Sequence, residues 1–131
     1  MSEVELHCVH RHYLNNNVHK LILQDETSHA VDDALMHLDR ILGEHPVDEP
    51  LRLFIDARVG VPPLNYFFSE LRKVYGAREE LPPIRAVYIY EKSIMLSILQ
   101  AFFNALGTNA SRRFIRGGTD VEALEWLTGD A

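Results

Sequence analysis

The chain has 131 residues, 47% of them apolar and 24% charged, and a formal net charge of −6. That length suits a single domain over residues 1–131, with room to bury roughly two-thirds of the unfolded chain's surface. The acidic balance excludes nucleic acid or an anionic membrane as the main partner, because each calls for a basic patch.

The elements follow in chain order. Val4 to Tyr13 mixes apolar and polar residues and reads as a strand that includes Cys8. Asn15-Asn16-Asn17 tolerates left-handed backbone and predicts a tight turn. Val18 to Leu23 is then a second strand, completing a hairpin. Asp25, Thr27 and Ser28 are candidate N-caps for a first helix. Its Val31, Ala34, Leu35, Leu38, Ile41 and Leu42 share one face, Asp32 and Asp33 are expected near its positive end, and Gly43 and Pro46 are expected to stop it. Leu51 to Ala57 is a third strand, with an apolar run ending at Asp56. A loop with Arg58 and Gly60 leads to Pro62-Pro63, and Pro63 suits the first turn of a second helix. Leu64, Phe67, Phe68, Leu71, Val74 and Tyr75 form that helix's inner face, and Gly76 ends it.

Arg85 to Tyr90 is a fourth strand whose continuous apolar run predicts burial on both faces. Ile94 to Leu106 is a third helix, stopped by Gly107. Arg112 to Arg116 is a fifth strand, its arginines read as a solvated edge. Thr119-x-x-Glu122 is a capping-box signature opening a short last helix, Val121 to Leu127. The order ββαβαβαβα predicts an α/β domain of about five strands and four helices. Its sheet is mixed but mostly parallel, with an N-terminal hairpin, and helices cover at least one face.

One cysteine, Cys8, leaves no internal disulfide and fits a reducing compartment. The opening MSEVELH lacks the pattern of a signal peptide, and Ile94 to Leu106 is too short to span a bilayer. A cytoplasmic protein without a transmembrane segment is expected.

The strand–loop–helix of Leu51 to Tyr75, set in this order of elements, resembles the STAS domain of sulfate transporter tails and bacterial anti-sigma-factor antagonists. Arg113-Phe114-Ile115 followed by Asp120-Val121-Glu122-Ala123-Leu124-Glu125-Trp126-Leu127 is similar to the closing strand and helix of stand-alone members. The resemblance implies a non-enzymatic regulatory or protein-interaction module that uses the loop after the third strand. In the antagonists that loop carries a serine before a glycine, and a partner kinase phosphorylates the serine. Here Val59 precedes Gly60, and no Ser or Thr lies between Asp56 and Asn65. Valine cannot accept phosphate, so the phospho-switch does not carry over.

The loop's candidate partner- or ligand-binding residues are Asp56, Arg58, Val59 and Gly60, with Tyr66 on the polar side of the second helix; exposed tyrosine and arginine are common interface anchors. The third helix is apolar around most of its circumference, beyond the stripe a helix needs to sit on a sheet. Something more must cover it. Cover within the chain and an interface through Met95, Leu99, Phe102 and Phe103 both remain open. A third option is an apolar small ligand lying between helix and sheet.

All seven histidines precede Pro46. His10 and His12 share a strand face, and the turn brings His19 opposite His12. Three histidines can hold a transition metal, but no Cys or carboxylate is spaced to complete a structural site. A polar edge strand is preferred; no metal and no cofactor are expected. Asp25-Glu26 and Asp56 resemble the acidic groups of a phosphoacceptor receiver. However, a strand–helix unit between them is missing, and Arg116-Gly117-Gly118 stands where a receiver has lysine. The plainer reading gives Asp25 a capping role and Asp56 a loop amide to hold. No dinucleotide, Walker or nucleophile-elbow motif is present. Three functions stay in play: a protein-binding or self-associating module, a carrier of a small lipid-like molecule, and an Asp56 phosphoacceptor.

Overall fold

The structure is a computed structural model, and it describes residues 7–13, 17–92, 94–106 and 110–129. The elements are β1 (Cys8–Tyr13), β2 (Val18–Leu23), α1 (Ser28–Glu44), β3 (Leu51–Ala57), α2 (Leu64–Gly76), β4 (Ile84–Tyr90), α3 (Ile94–Leu106), β5 (Ala110–Arg116) and α4 (Asp120–Thr128). The order is the one expected. Val4 to Leu6, Asn15, Asn16 and Gly107 lie outside the described residues, so the expectations on them have no counterpart here.

The strands form one sheet in the order β1-β2-β3-β4-β5. β1 and β2 pair antiparallel, with His12 opposite His19 and Tyr13 opposite Val18. Asn17 stands at φ 52° in the turn between them, a conformation asparagine tolerates. The remaining pairs are parallel. Each parallel step is bridged by a helix, and right-handed crossovers between strands in sequential order bring all the bridging helices to the same side. α1, α2 and α3 accordingly share one core with Leu21, Leu53, Ala86 and Tyr88 on the front of the sheet. α4 follows the last strand and packs on the back, where Ala123 and Leu127 cover Val18, Phe54, Val87 and Ile89. β4 is therefore buried on both faces, as its apolar run predicts.

The stripe Val31, Ala34, Leu35, Leu38, Ile41 and Leu42 is buried as expected. Two details of α1 differ. The helix runs one residue past Gly43, to Glu44, with His45 as its C-cap. It also starts at Ser28, so Asp32 and Asp33 fall in its second turn, beyond the free amides of the first. They serve other bonds: Asp33 Oδ2 accepts the His7 amide at 3.0 Å, and Asp32 accepts the Tyr66 hydroxyl. Thr119 caps α4 as expected: the Glu122 amide donates to Thr119 Oγ1 at 3.2 Å, and the Thr119 hydroxyl donates to the Glu122 carboxylate at 3.4 Å.

Part of the apolar surface of α3 is covered within the chain. Phe102 stacks on Phe68 of α2, with ring centroids 4.0 Å apart. Phe103 meets Tyr88 of β4 and Phe114 of β5. The guanidinium groups of Arg72 and Arg112 lie over Phe102 and Phe103 at 5.1 and 4.1 Å. Leu99, Phe102 and Phe103 are buried here, inside this chain's own core rather than on an outer face. The side chain of Met95 lies outside what the structure describes. No helix among the described residues is long and apolar enough to cross a membrane.

Candidate functional site

The order of the sheet makes β3 its central strand, so the β3–α2 loop leaves from the middle of the carboxyl edge. Alternation along β3 sends Leu53 and Ile55 to the front and Phe54 and Asp56 to the back. Lys20 of β2 points the same way, lying opposite Phe54 in register. Both charged groups are nearly sealed from water: Lys20 is 5% exposed and Asp56 7%. Buried charges must be paired, and the pairing converges on the start of α4. Lys20 Nζ donates to Asp120 Oδ2 at 2.6 Å and stands 4.0 Å from Asp56 Oδ2. It also lies over the Phe54 ring at 4.7 Å.

Arg58 closes the cluster. Its Nε and backbone amide donate to Asp56 Oδ1 at 3.0 and 3.1 Å, and one terminal nitrogen donates to Asp56 Oδ2 at 2.6 Å. The same nitrogen reaches Asp120 Oδ1 at 2.7 Å, and the other reaches the Gly118 carbonyl at 3.3 Å. The bonds to Asp56 raise the Arg58 pKa above its ordinary value, against the effect of its partial burial. Burial pushes the Asp120 carboxyl up, but the bonds from Lys20 and Arg58 outweigh it, and its pKa falls below the usual value. Asp56 holds the loop amide, as the plainer reading of the sequence had it. Both of its oxygens are engaged by Arg58.

The rest of the loop is fixed as well. Glu26, at the end of the β2–α1 connection, accepts the Val61 amide at 2.7 Å. A side chain at Gly60 would place its Cβ 2.0 Å from that carboxylate, so glycine lets the two segments meet. Pro62 is buried. Val59 is left facing solvent, 47% exposed. Tyr66 is turned toward α1, where its bond to Asp32 pushes its pKa up to about 12.

Of the residues expected from the sequence, the structure brings Asp56 and Arg58 into one ion cluster and sets Gly60 against Glu26. It leaves Val59 outward and ties Tyr66 to another helix. Lys20 and Asp120 were not foreseen. A signal for Lys20 existed: it shares strand parity with Val18 and Ile22, and a lysine on a covered strand face needs a carboxylate. Its partner lies 100 residues away, beyond any local pattern.

On the front, a cavity of about 50 Å³ lies between the sheet, α1 and α2, lined by Leu35, Leu53, Phe67, Leu71, Tyr88, Leu99 and similar side chains. Around the hairpin, His12 stacks on His19 with centroids 4.0 Å apart. Among the described residues no group of three or more His, Cys, Asp or Glu side chains stands in position to hold a metal ion. No arrangement of the described residues points to catalysis; the buried charges are occupied with one another. Against known proteins, the chain matches no family model, no curated relative and no solved structure.

Proposed function

We propose that the protein is a cytoplasmic, non-enzymatic regulatory or protein-interaction module of STAS type that meets a protein partner through its β3–α2 loop. The observation that carries this reading is the presentation of Val59. An exposed apolar side chain sits at the tip of a loop held from both sides, by the Asp56–Arg58–Asp120 cluster and by the Glu26 bond to Val61. A stiff loop with an outward apolar tip loses little conformational entropy on docking, which favours binding. Nothing in such a loop needs a phosphorylated serine.

The test is capture of a partner by the wild-type chain, repeated with Val59→Asp. That substitution touches none of the bonds that hold the loop, so far-ultraviolet circular dichroism should stay unchanged while capture is lost. Undiminished capture by a folded Val59→Asp protein overturns the reading. Arg58→Glu is a poor probe of the surface, because it would set a third carboxylate between Asp56 and Asp120.

The front cavity favours one second reading, an apolar ligand. A single water needs roughly 10–15 Å³ of such space, so about 50 Å³ takes only a small apolar group, and a longer lipid chain would require α2 to move. Native mass spectrometry of the purified protein decides: a co-purifying apolar molecule supports it, and a clean apo mass removes it.

A further inference from the structure

The structure joins β1, β2 and α1 through imidazole rings. His10 Nε2 and His19 Nδ1 are 3.0 Å apart across the hairpin. Arg40 of α1 bonds His10 Nδ1 at 3.0 Å and His37 Nδ1 at 2.9 Å. Arginine can only donate, so both of those nitrogens are unprotonated acceptors. His10 then carries its proton on Nε2 and donates it to His19 Nδ1. The chain of bonds runs from Arg40 through His10 to His19, and each acceptor in it is a neutral imidazole nitrogen.

Protonation breaks such a chain at every link. An imidazolium has two N–H groups and no acceptor, so a charged His10 would face the Arg40 guanidinium with N–H against N–H, and a charged His19 would do the same to His10. The surroundings give little relief. From β1 comes His12; from α1 come Asp33, His37, Arg40 and Glu44; beyond α1 comes His45. The two carboxylates are outnumbered by groups that are positive or become so.

We propose that this imidazole network is an acid-operated latch, holding the edge strand β1 to β2 and α1 at neutral pH and releasing it on acidification. Burial, reinforced by the neighbouring rings and Arg40, keeps the pKa values of His10 and His19 low, His19 at about 4. The neutral, bonded form is thus the resting one. Among the described residues β1 pairs with a single strand, β2, so its release disturbs no other pairing there. It would bare the β2 edge, whose free amides and carbonyls then accept another strand.

Cys8, the chain's one cysteine, lies on β1 and is 1% exposed, so it reports on release. The experiment measures its labelling by 4,4′-dithiodipyridine at pH 7.5 and pH 5.0, each rate divided by that of the denaturant-unfolded chain at the same pH. Trp126 fluorescence, from the back of the sheet, is followed in parallel. The latch requires the normalised rate to rise about tenfold or more at pH 5.0, the effect of roughly one pH unit of linkage at one group, with Trp126 unchanged. It requires that rise to vanish when His10→Gln and His19→Gln are combined.

Protection of Cys8 at pH 5.0, or exposure only together with a change at Trp126, overturns the proposal. So does an equal rise in the double variant. Should that variant not fold, the wild type still decides. The His10 and His19 imidazole resonances must titrate with the same midpoint as Cys8 labelling, and separate midpoints overturn the latch.

Discussion

At the scale of single residues, the ion cluster behind β3 is an exchange of solvation for geometry. Lys20 has given up water for one short bond to Asp120, a ring face and a more distant Asp56. Removing one member of such a set leaves the other charge buried with fewer partners, which costs more than the pair contributes net. Asp120→Ala should therefore lower stability by about 2 kcal/mol, read from urea unfolding. Lys20→Met combined with Asp120→Ala should recover part of that loss, and a double variant worse than the sum of the singles would contradict the pairing. Gly60→Ala should cost about 1 kcal/mol in the same assay, because the new methyl expels the Glu26 carboxylate from the Val61 amide. Asp56 and Arg58 were legible in the sequence because they are neighbours at the end of an apolar run. The hold of Asp56 on the loop amide was legible too; the ion cluster was not, since it depends on Asp120 arriving from the far end of the chain.

Among the elements, periodicity revealed which face each helix buries but not what meets it. The Ile94 to Leu106 pattern demanded more cover than a sheet provides. Part of that cover is Phe68 of α2 together with two arginine side chains lying on phenylalanine rings. Arginine stems and guanidinium planes shield apolar surface while remaining hydrated, an arrangement that apolar counting cannot anticipate. Phe102→Ala should then cost about 3 kcal/mol or more, since it empties a stacked site between two helices, measured by thermal or urea unfolding. A loss below 1 kcal/mol would mean that Phe102 is not the contact joining α3 to α2. The misplacement of Asp32 and Asp33 has a similar origin: several residues before Val31 were fit to cap, and choosing among Asp25, Thr27 and Ser28 shifts the first turn. The N-cap is Thr27, without a side-chain bond to the helix amides; Asp25 does not cap the helix but accepts the Thr27 amide at 3.0 Å and the Thr27 hydroxyl at 2.5 Å, and the helix starts at Ser28.

For the whole molecule, the order of elements was legible because helix and strand periods alternate cleanly. The sequential strand order follows from handedness once those elements are granted, and it divides the titratable groups between two regions that answer to different pH ranges. At the hairpin, burial chiefly depresses the pKa values of His10, His19 and His37. For a base whose folded value lies below its unfolded one, stability is full above the unfolded value of about 6.5. It is lost as pH falls toward the folded value, about 4 for His19, because only the unfolded chain takes up the proton. The carboxylates act lower. Asp25 is held at about 2, chiefly by the Thr27 hydroxyl and then by His7, and Asp120 lies below its ordinary value through Lys20 and Arg58. Their contribution is complete above the unfolded value of about 4 and disappears as pH falls through the folded values. Urea midpoints measured from pH 8 to pH 2 should therefore decline in two steps. Replacing His10, His19 and His37 together by glutamine should flatten the step between about pH 6.5 and 4 and leave the lower one in place. Asp120→Asn should do the reverse, reducing only the fall below about pH 4. A single decline, or one that the histidine replacements leave untouched, would place the acid sensitivity of the fold elsewhere than in these two clusters.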